Sequence, residues 1–161
     1  MYLITGGLGG LAYKLARMLA EKYKAHLILL DLVEIPDKKD WSDWRNTHNE
    51  DHFISQKIKQ IQSLEGLGTE VWYFQAEICQ YYQLQRINSL IEKSGETING
   101  VFHLAGSPDA GMIMTKTIDQ IQKVVNPKIK GTQALAGIFS GKKLDFFIAF
   151  SSNNSVFGGP G

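Results

Sequence analysis

The sequence predicts an α/β fold built on a doubly wound parallel sheet, and three observations predict it. A glycine-rich stretch, Thr5-Gly6-Gly7-Leu8-Gly9-Gly10-Leu11-Ala12, separates the short apolar run Tyr2-Leu3-Ile4 from a segment with helical spacing. Continuous apolar runs such as His26-Leu27-Ile28-Leu29-Leu30 recur down the chain, as expected of parallel strands buried on both faces. Segments of helical periodicity separate those runs, and strand–helix alternation is the pattern that produces a parallel sheet with crossover helices.

Composition sets the outer limits. The chain has 161 residues, of which 43% are hydrophobic and 20% charged, enough for one domain with a core and too few for two. Residues 1–161 are therefore expected as a single domain. Acids and bases are interspersed at a net charge of +1, so neither a nucleic-acid surface nor an acidic partner is expected. Cys79 is the single cysteine, which excludes an internal disulfide and suits a reducing cytoplasm. No apolar run approaches the roughly 20 residues of a membrane span, and the first residues carry no basic leader, so a cytoplasmic protein without a membrane partner is expected.

The first helix is expected to follow the glycine stretch, with Leu11, Leu15, Met18 and Leu19 on one face. The second strand, His26 to Leu30, closes on Asp31. From Leu32 to His52 the periodicity dissolves into a polar insertion holding Pro36 and the Trp41-Ser42-Asp43-Trp44 cluster, longer than most connections in compact domains. It is expected to be a loop that folds over a cofactor's adenosine end or against a neighbour. His48, Glu50 and His52 lie in it without a strand or helix to fix them, so a solvated loop is expected and no metal site is predicted. A helix is predicted from Phe53 to Leu64, stopped by Gly66 and Gly68, then a third strand from Glu70 to Gln75. A helix over Leu84 to Ile91 precedes a fourth strand, which runs from Gly100 into the small-residue turn Leu104-Ala105-Gly106. His103, inside that apolar run, is expected to be a hydrogen-bonded core residue. A long helix from Ile118 to Phe139, with Pro127 bending it, leads to a fifth strand, Leu144 to Phe150, and to Ser151-Ser152 at its carboxyl end. The predicted strand order is 3-2-1-4-5, with the phenylalanine-rich fifth strand as an uncovered edge.

The spacing of Gly7, Gly9 and Ala12 fits G-x-G-x-x-G/A. In that turn the first glycine permits a tight reversal, the second lets a diphosphate approach the backbone, and the last small residue lets helix and strand pack closely. Free N–H groups and a helix dipole of roughly half a positive charge then point at the anion. Thr5, Gly6, Gly7, Leu8 and Gly9 are thus candidate dinucleotide-binding residues. Asp31, an acid about 20 residues farther on, is placed to hydrogen-bond the adenine ribose. It would also repel a 2′-phosphate by about 4 kcal/mol at 4 Å and an effective dielectric near 20, which favours NAD over NADP. Glu77 and Ile78 sit where the chain would pass the adenine ring, and Leu104, Ala105 and Gly106 where backbone can lie against ribose and phosphates.

Four motifs together carry a resemblance: the Thr5–Ala12 turn, His103-Leu104-Ala105-Gly106, Asn126-Pro127-Lys128-Ile129-Lys130-Gly131, and Phe150-Ser151-Ser152 followed by Gly158-Gly159-Pro160-Gly161. In order and spacing they resemble the catalytic subdomain of ketoreductases from modular polyketide synthases and mixed peptide–polyketide synthetases, members of the short-chain dehydrogenase/reductase superfamily. The resemblance implies a Rossmann-like fold, neighbouring synthase domains, and hydride delivery from NADPH to a β-keto group held as a thioester on an acyl carrier protein. It implies that Ser152 hydrogen-bonds the substrate carbonyl and that Lys128, from the long helix, lowers the pKa of a proton-donating phenol. That tyrosine lies thirteen residues past the serine in the family, four positions beyond Gly161, so the chain is expected to be a truncated or split piece that reduces no ketone by itself. Where the family carries a small residue and then arginine after the second strand, this chain has Asp31 and Leu32, which keeps NADH open beside NADPH. Pro108-Asp109-Ala110 keeps one acid of the family's Leu-Asp-Asp fingerprint, and Phe157 stands where the opposite stereochemical class carries tryptophan. Two other readings remain open: a noncatalytic scaffold that braces synthase domains, and a free-standing NAD-dependent dehydrogenase or epimerase.

Overall fold

In the computed structural model, which describes residues 1–109 and 111–158, five parallel strands form one sheet of order β3-β2-β1-β4-β5. These are β1 (Tyr2–Thr5), β2 (Leu27–Asp31), β3 (Val71–Gln75), β4 (Gly100–His103) and β5 (Phe146–Ala149). Among the described residues six α-helices accompany them: α1 (Gly10–Tyr23), α2 (Trp41–Thr47), α3 (Phe53–Glu65), α4 (Tyr81–Lys93), α5 (Ile118–Phe139) and α6 (Asn154–Phe157). Register aligns Thr5 with Leu30 on one side and His103 on the other, and His103 with Ala149. The carboxyl ends of four strands therefore share one edge, where open α/β sheets take their ligands.

Alternating strand residues divide the core into two layers. Leu3, Ile28, Leu30 and Val101 face α4 and α5 through Leu84, Ile87, Leu135 and Ile138. Ile4, Leu27, Leu29 and Phe102 face α1 and α3 through Ala16, Leu19, Ile58 and Ile61. The buried face of α1 is Ala12, Ala16, Leu19 and Ala20; of the predicted stripe Leu19 is buried, Leu15 and Met18 are half-buried against the same layer, and Leu11 is 61% exposed. Alanines bring this helix close against the sheet beside Leu19, and Leu11 falls outside the buried stripe.

The insertion at 32–52 departs furthest from expectation. Instead of a solvated loop over the cofactor it holds a 3₁₀ turn at Lys38–Asp40 followed by α2. Trp41 is buried in the α1–α3 layer, its indole N–H donating to the Pro36 carbonyl at 2.8 Å, so one aromatic anchor folds the segment onto the core. His48 stacks on Trp44 at 3.7 Å, and His52 caps α3 by accepting from the Ile54 N–H at 3.2 Å. Both rings are thus occupied by local structure.

Helix α5 spans the predicted Ile118–Phe139 continuously through Pro127. A capping box fixes its start: Thr117 accepts from the Gln120 N–H, and the Gln120 side chain accepts from the Thr117 N–H. Only its second half is buried, through Gly131, Ala134, Leu135, Ile138 and Phe139, while Ile118, Ile121, Val125 and Ile129 remain exposed. Strand β5 is the sheet edge, with Phe146 and Phe147 half-buried and Ile148 exposed. Among the described residues, no helix is long and apolar enough to cross a membrane.

Candidate functional site

A cleft of about 1290 Å³ opens along the carboxyl edge of the sheet. Its floor is the glycine turn. The reversal after β1 occurs at Gly6, whose φ of +65° lies in the left-handed region. A Cβ there would sit 3.0 Å from the Ala105 Cα, so the turn also lies tight against the end of β4. Gly7, expected to make the reversal, instead packs on β2: its Cβ would come within 2.8 Å of the Leu29 Cβ. The Gly9 N–H closes the turn onto the Gly6 carbonyl at 2.9 Å. Helix α1 then begins with neither a side-chain cap nor an acid in its first turn, and Gly9, Gly10, Leu11 and Ala12 line the cleft. First-turn N–H groups without protein partners beside a roomy cleft suit a dianionic diphosphate.

At one end of the cleft the Asp31 carboxylate accepts from the Leu8 N–H at 3.0 Å and from the Val33 N–H at 3.3 Å. It ties the glycine turn to the end of β2 and still lines the cleft, as does exposed Leu32 beside it. Tyr73 donates to the Val33 carbonyl, and burial, with Asp31 nearby, pushes its phenol far above the usual range. Glu77 and buried Ile78 line the cleft from the end of β3. Lining residues without a motif to mark them include Gln122 and Lys123 on α5 and, at the Asp31 end, Phe53 and Lys57 on α3. The Lys57 ammonium donates to the Leu8 carbonyl at 2.6 Å, across 49 positions of sequence. The only local signal of Phe53 and Lys57 is i, i+4 spacing, which places them on one face of α3 without saying what that face meets.

At the other end, Leu104, Ala105 and Gly106 form the wall after β4. A buried chain of hydrogen bonds supports it. The Ala105 N–H donates to Thr5 Oγ1 at 3.1 Å, the Thr5 hydroxyl meets His103 Nδ1 at 2.7 Å, and His103 Nε2 meets the Pro127 carbonyl at 3.0 Å. A carbonyl can only accept, so the proton sits on Nε2, and Nδ1 accepts from Thr5. His103 therefore joins the glycine-turn strand to α5 one residue before Lys128, as the hydrogen-bonded core histidine expected. Burial pushes its pKa below the ordinary 6.5, the Pro127 carbonyl opposing and Lys128 adding to the effect. Below about pH 6.5 the unfolded chain thus binds a proton the folded one resists, so stability rises with pH through that window and falls toward acid. Urea midpoints between pH 5 and 7.5 should show a steeper acid loss in the native chain than in His103→Gln; equal slopes would remove this role.

The Lys128 ammonium lies 3.4 Å from the Phe150 carbonyl and 3.5 Å from the position a Gly106 Cβ would take. Lys128 and the end of β5 thus meet at the cleft. Phe150 and Ser151 line it, whereas Ser152 does not: its exposed hydroxyl accepts from the Asn154 N–H at 3.2 Å, at the start of α6. Lys116 donates to the Asp109 carbonyl at 2.7 Å and pairs with its carboxylate at 3.3 Å, and Phe157 is exposed on α6. Ala110 and Gly159-Pro160-Gly161 lie outside the described residues.

The family model described as "KR domain" matches residues 1–161. The 6-methylsalicylic acid synthase of Aspergillus terreus is 34% identical over 161 residues, covering 99% of this chain and 9% of that protein. Polyketide synthase PksM of Bacillus subtilis is 35% identical over 157 residues, covering 98% of this chain and 3% of that protein. The chain thus spans less than a tenth of these relatives, in which the matching region is a small part of a large multidomain polypeptide. Among solved structures, a ketoreductase domain from the bacillaene assembly line superposes with a TM-score of 0.83 at 27% identity, over 99% of this chain and 34% of that one. An N-terminal ketoreductase from the macrolactin assembly line gives 0.79 at 31% identity, over 99% and 29%.

Proposed function

Because this chain belongs to the KR domain family, the ketoreductase domains of polyketide synthases, we propose that it forms the nucleotide-binding part of a ketoreductase within such a synthase. Its substrate would be a β-keto thioester carried on an acyl carrier protein. The observation that carries this reading is the juxtaposition in one cleft of an uncapped helix N-terminus, from α1, with the Lys128 ammonium at the end of β5.

Thr5, Gly6, Gly7, Leu8 and Gly9 would hold the diphosphate. Asp31 and Leu32 would meet the adenine ribose, Glu77 and Ile78 the adenine side, and Leu104, Ala105 and Gly106 the second ribose. NAD(P)H, when bound, supplies the hydride. Lys128 places a positive charge where negative charge develops on the substrate oxygen, and there lowers the pKa of a neighbouring acid. Ser152 donates its hydroxyl to the same oxygen once that hydroxyl turns from the Asn154 N–H. No tyrosine is among the described residues lining the cleft, and the Tyr73 phenol is spent on Val33. The 161-residue polypeptide is accordingly expected to bind nucleotide without reducing ketones.

Calorimetric titration of this polypeptide with NADPH and NADH tests the reading. Saturable binding of at least one is expected, with no consumption of NAD(P)H when a β-keto thioester is added. Failure to bind either would sink the ketoreductase reading in favour of a noncatalytic scaffold. In the full-length synthase, Ser152→Ala is expected to lower kcat with little change in nucleotide affinity, and Ser151→Ala to do much less; the reverse order would transfer the role to Ser151.

A further inference from the structure

We propose that Lys57 is the specificity residue at the adenosine end of the cleft, receiving the 2′-phosphate of NADPH and offsetting the preference of Asp31 for NADH. The proposal rests on the dinucleotide reading above and adds to it which side chain decides between the two nucleotides.

Three observations carry it. The first is placement: Lys57 and Asp31 are held by the two ends of one residue. The Leu8 N–H donates to Asp31 Oδ2 at 3.0 Å, and the Leu8 carbonyl accepts from the Lys57 ammonium at 2.6 Å. Opposite charges thus flank the same turn of chain, at the place where the ribose of a dinucleotide lying on this glycine turn would come.

The second is scarcity. After Asp31 the chain continues Leu32-Val33-Glu34, with no cation. Among the described lining residues the basic side chains are Lys57, Lys123, Lys128 and Lys130, and all but Lys57 project from α5. Lys130 reaches the cleft beside Cys79, and Lys57 alone of the four is bonded to the glycine turn next to Asp31.

The third is availability. Beyond Leu8, the Lys57 ammonium has the Gln60 side-chain oxygen at 3.4 Å and the Phe53 ring centroid at 5.1 Å. Among the described residues no carboxylate pairs with it, so its charge is uncompensated. The half-buried stem is flexible, and an ammonium bonded to one neutral carbonyl gains by exchanging it for a dianion.

Asp31 and Lys57 act in opposite senses on a 2′-phosphate and nearly alike on a 2′-hydroxyl. The native chain is therefore expected to bind NADPH and NADH with affinities within about tenfold of each other, NADPH with the steeper loss as salt rises. Lys57→Met should weaken NADPH by about tenfold to a hundredfold, the range of one charge-assisted hydrogen bond, and leave NADH within about threefold. Asp31→Asn should shift the ratio the other way, toward NADPH, and Lys57→Arg should restore much of the NADPH affinity. Circular dichroism on each variant establishes that it is folded.

The decisive experiment is titration of the native chain, Lys57→Met and Asp31→Asn with both nucleotides at low and high salt. If both nucleotides bind the native chain and Lys57→Met loses affinity equally for each, or for neither, Lys57 only braces the Leu8 carbonyl; the inference falls while the dinucleotide reading stands. If neither nucleotide binds the native chain, both fall together.

Discussion

Gly6→Val is expected to destabilise the fold by about 2–5 kcal/mol and to abolish nucleotide binding in whatever fraction stays folded. Two costs combine. At φ +65° an L-residue pays about 1–2 kcal/mol for left-handed backbone, and a β-branched one is a genuine outlier there. The added side chain also meets backbone that cannot swing aside, since its Cβ alone would lie 3.0 Å from the Ala105 Cα and 3.1 Å from the Ala105 nitrogen. Overpacking of that kind adds about 1–3 kcal/mol. The clash forces apart the ends of β1 and β4, which form the cleft floor and the wall holding Leu104 to Gly106. Gly68→Val is the control: its φ is +78°, and a Cβ there would meet nothing within 4 Å, so only the backbone cost applies. Urea denaturation of both variants separates the two costs. A Gly6→Val chain that unfolds with the Gly68→Val midpoint and still binds nucleotide would refute the close approach of β1 and β4.

On the ketoreductase reading proposed above, Lys128→Met is expected to lower ketone reduction by roughly 10²–10⁴ in a synthase carrying this domain, the usual worth of positioned acid–base assistance. The side chain is exposed and its structural bonds are few, a 3.4 Å contact to the Phe150 carbonyl being the one that fixes it. Folding stability should therefore change by less than about 0.5 kcal/mol, as for an ordinary surface substitution. That separation of a large kinetic effect from a small stability effect is the signature sought. Lys128→Arg keeps the charge and should recover part of the rate, because only the donor geometry changes. Turnover within a factor of two of the native enzyme would make Lys128 one more solvated helix lysine.

Hydrophobic runs closing on Asp31 and His103, and the 3.6 period from Ile118 to Phe139, depend on residues a few positions apart, so strand identities, the bounds of α5 and the order 3-2-1-4-5 followed from the chain alone. Thr5 to Gly9 could be placed at a strand–helix junction for the same reason. The insertion at 32–52 resisted because α2 has no long apolar stripe; it is folded by Trp41 entering a core layer made by other segments. The buried face of α1 departs from the expected stripe at Leu11, because the sequence displays which residues are hydrophobic, whereas the distance to the sheet decides that Ala12, Ala16 and Ala20 fit beside Leu19.

By itself, then, the sequence determined the alternation of elements, the glycine turn with its acid at Asp31, and the family of domains that Lys128 and Ser152 suggest. Tertiary structure alone decided that Gly6 makes the reversal against Ala105, that His103 bridges Thr5 to Pro127, that Ser151 rather than Ser152 faces the cleft, and that Lys57 reaches Leu8. The physical reason is range: periodicity and turn chemistry act between near neighbours, while these meetings join residues from 24 to about 100 positions apart, in contacts set by how the sheet and its helices pack.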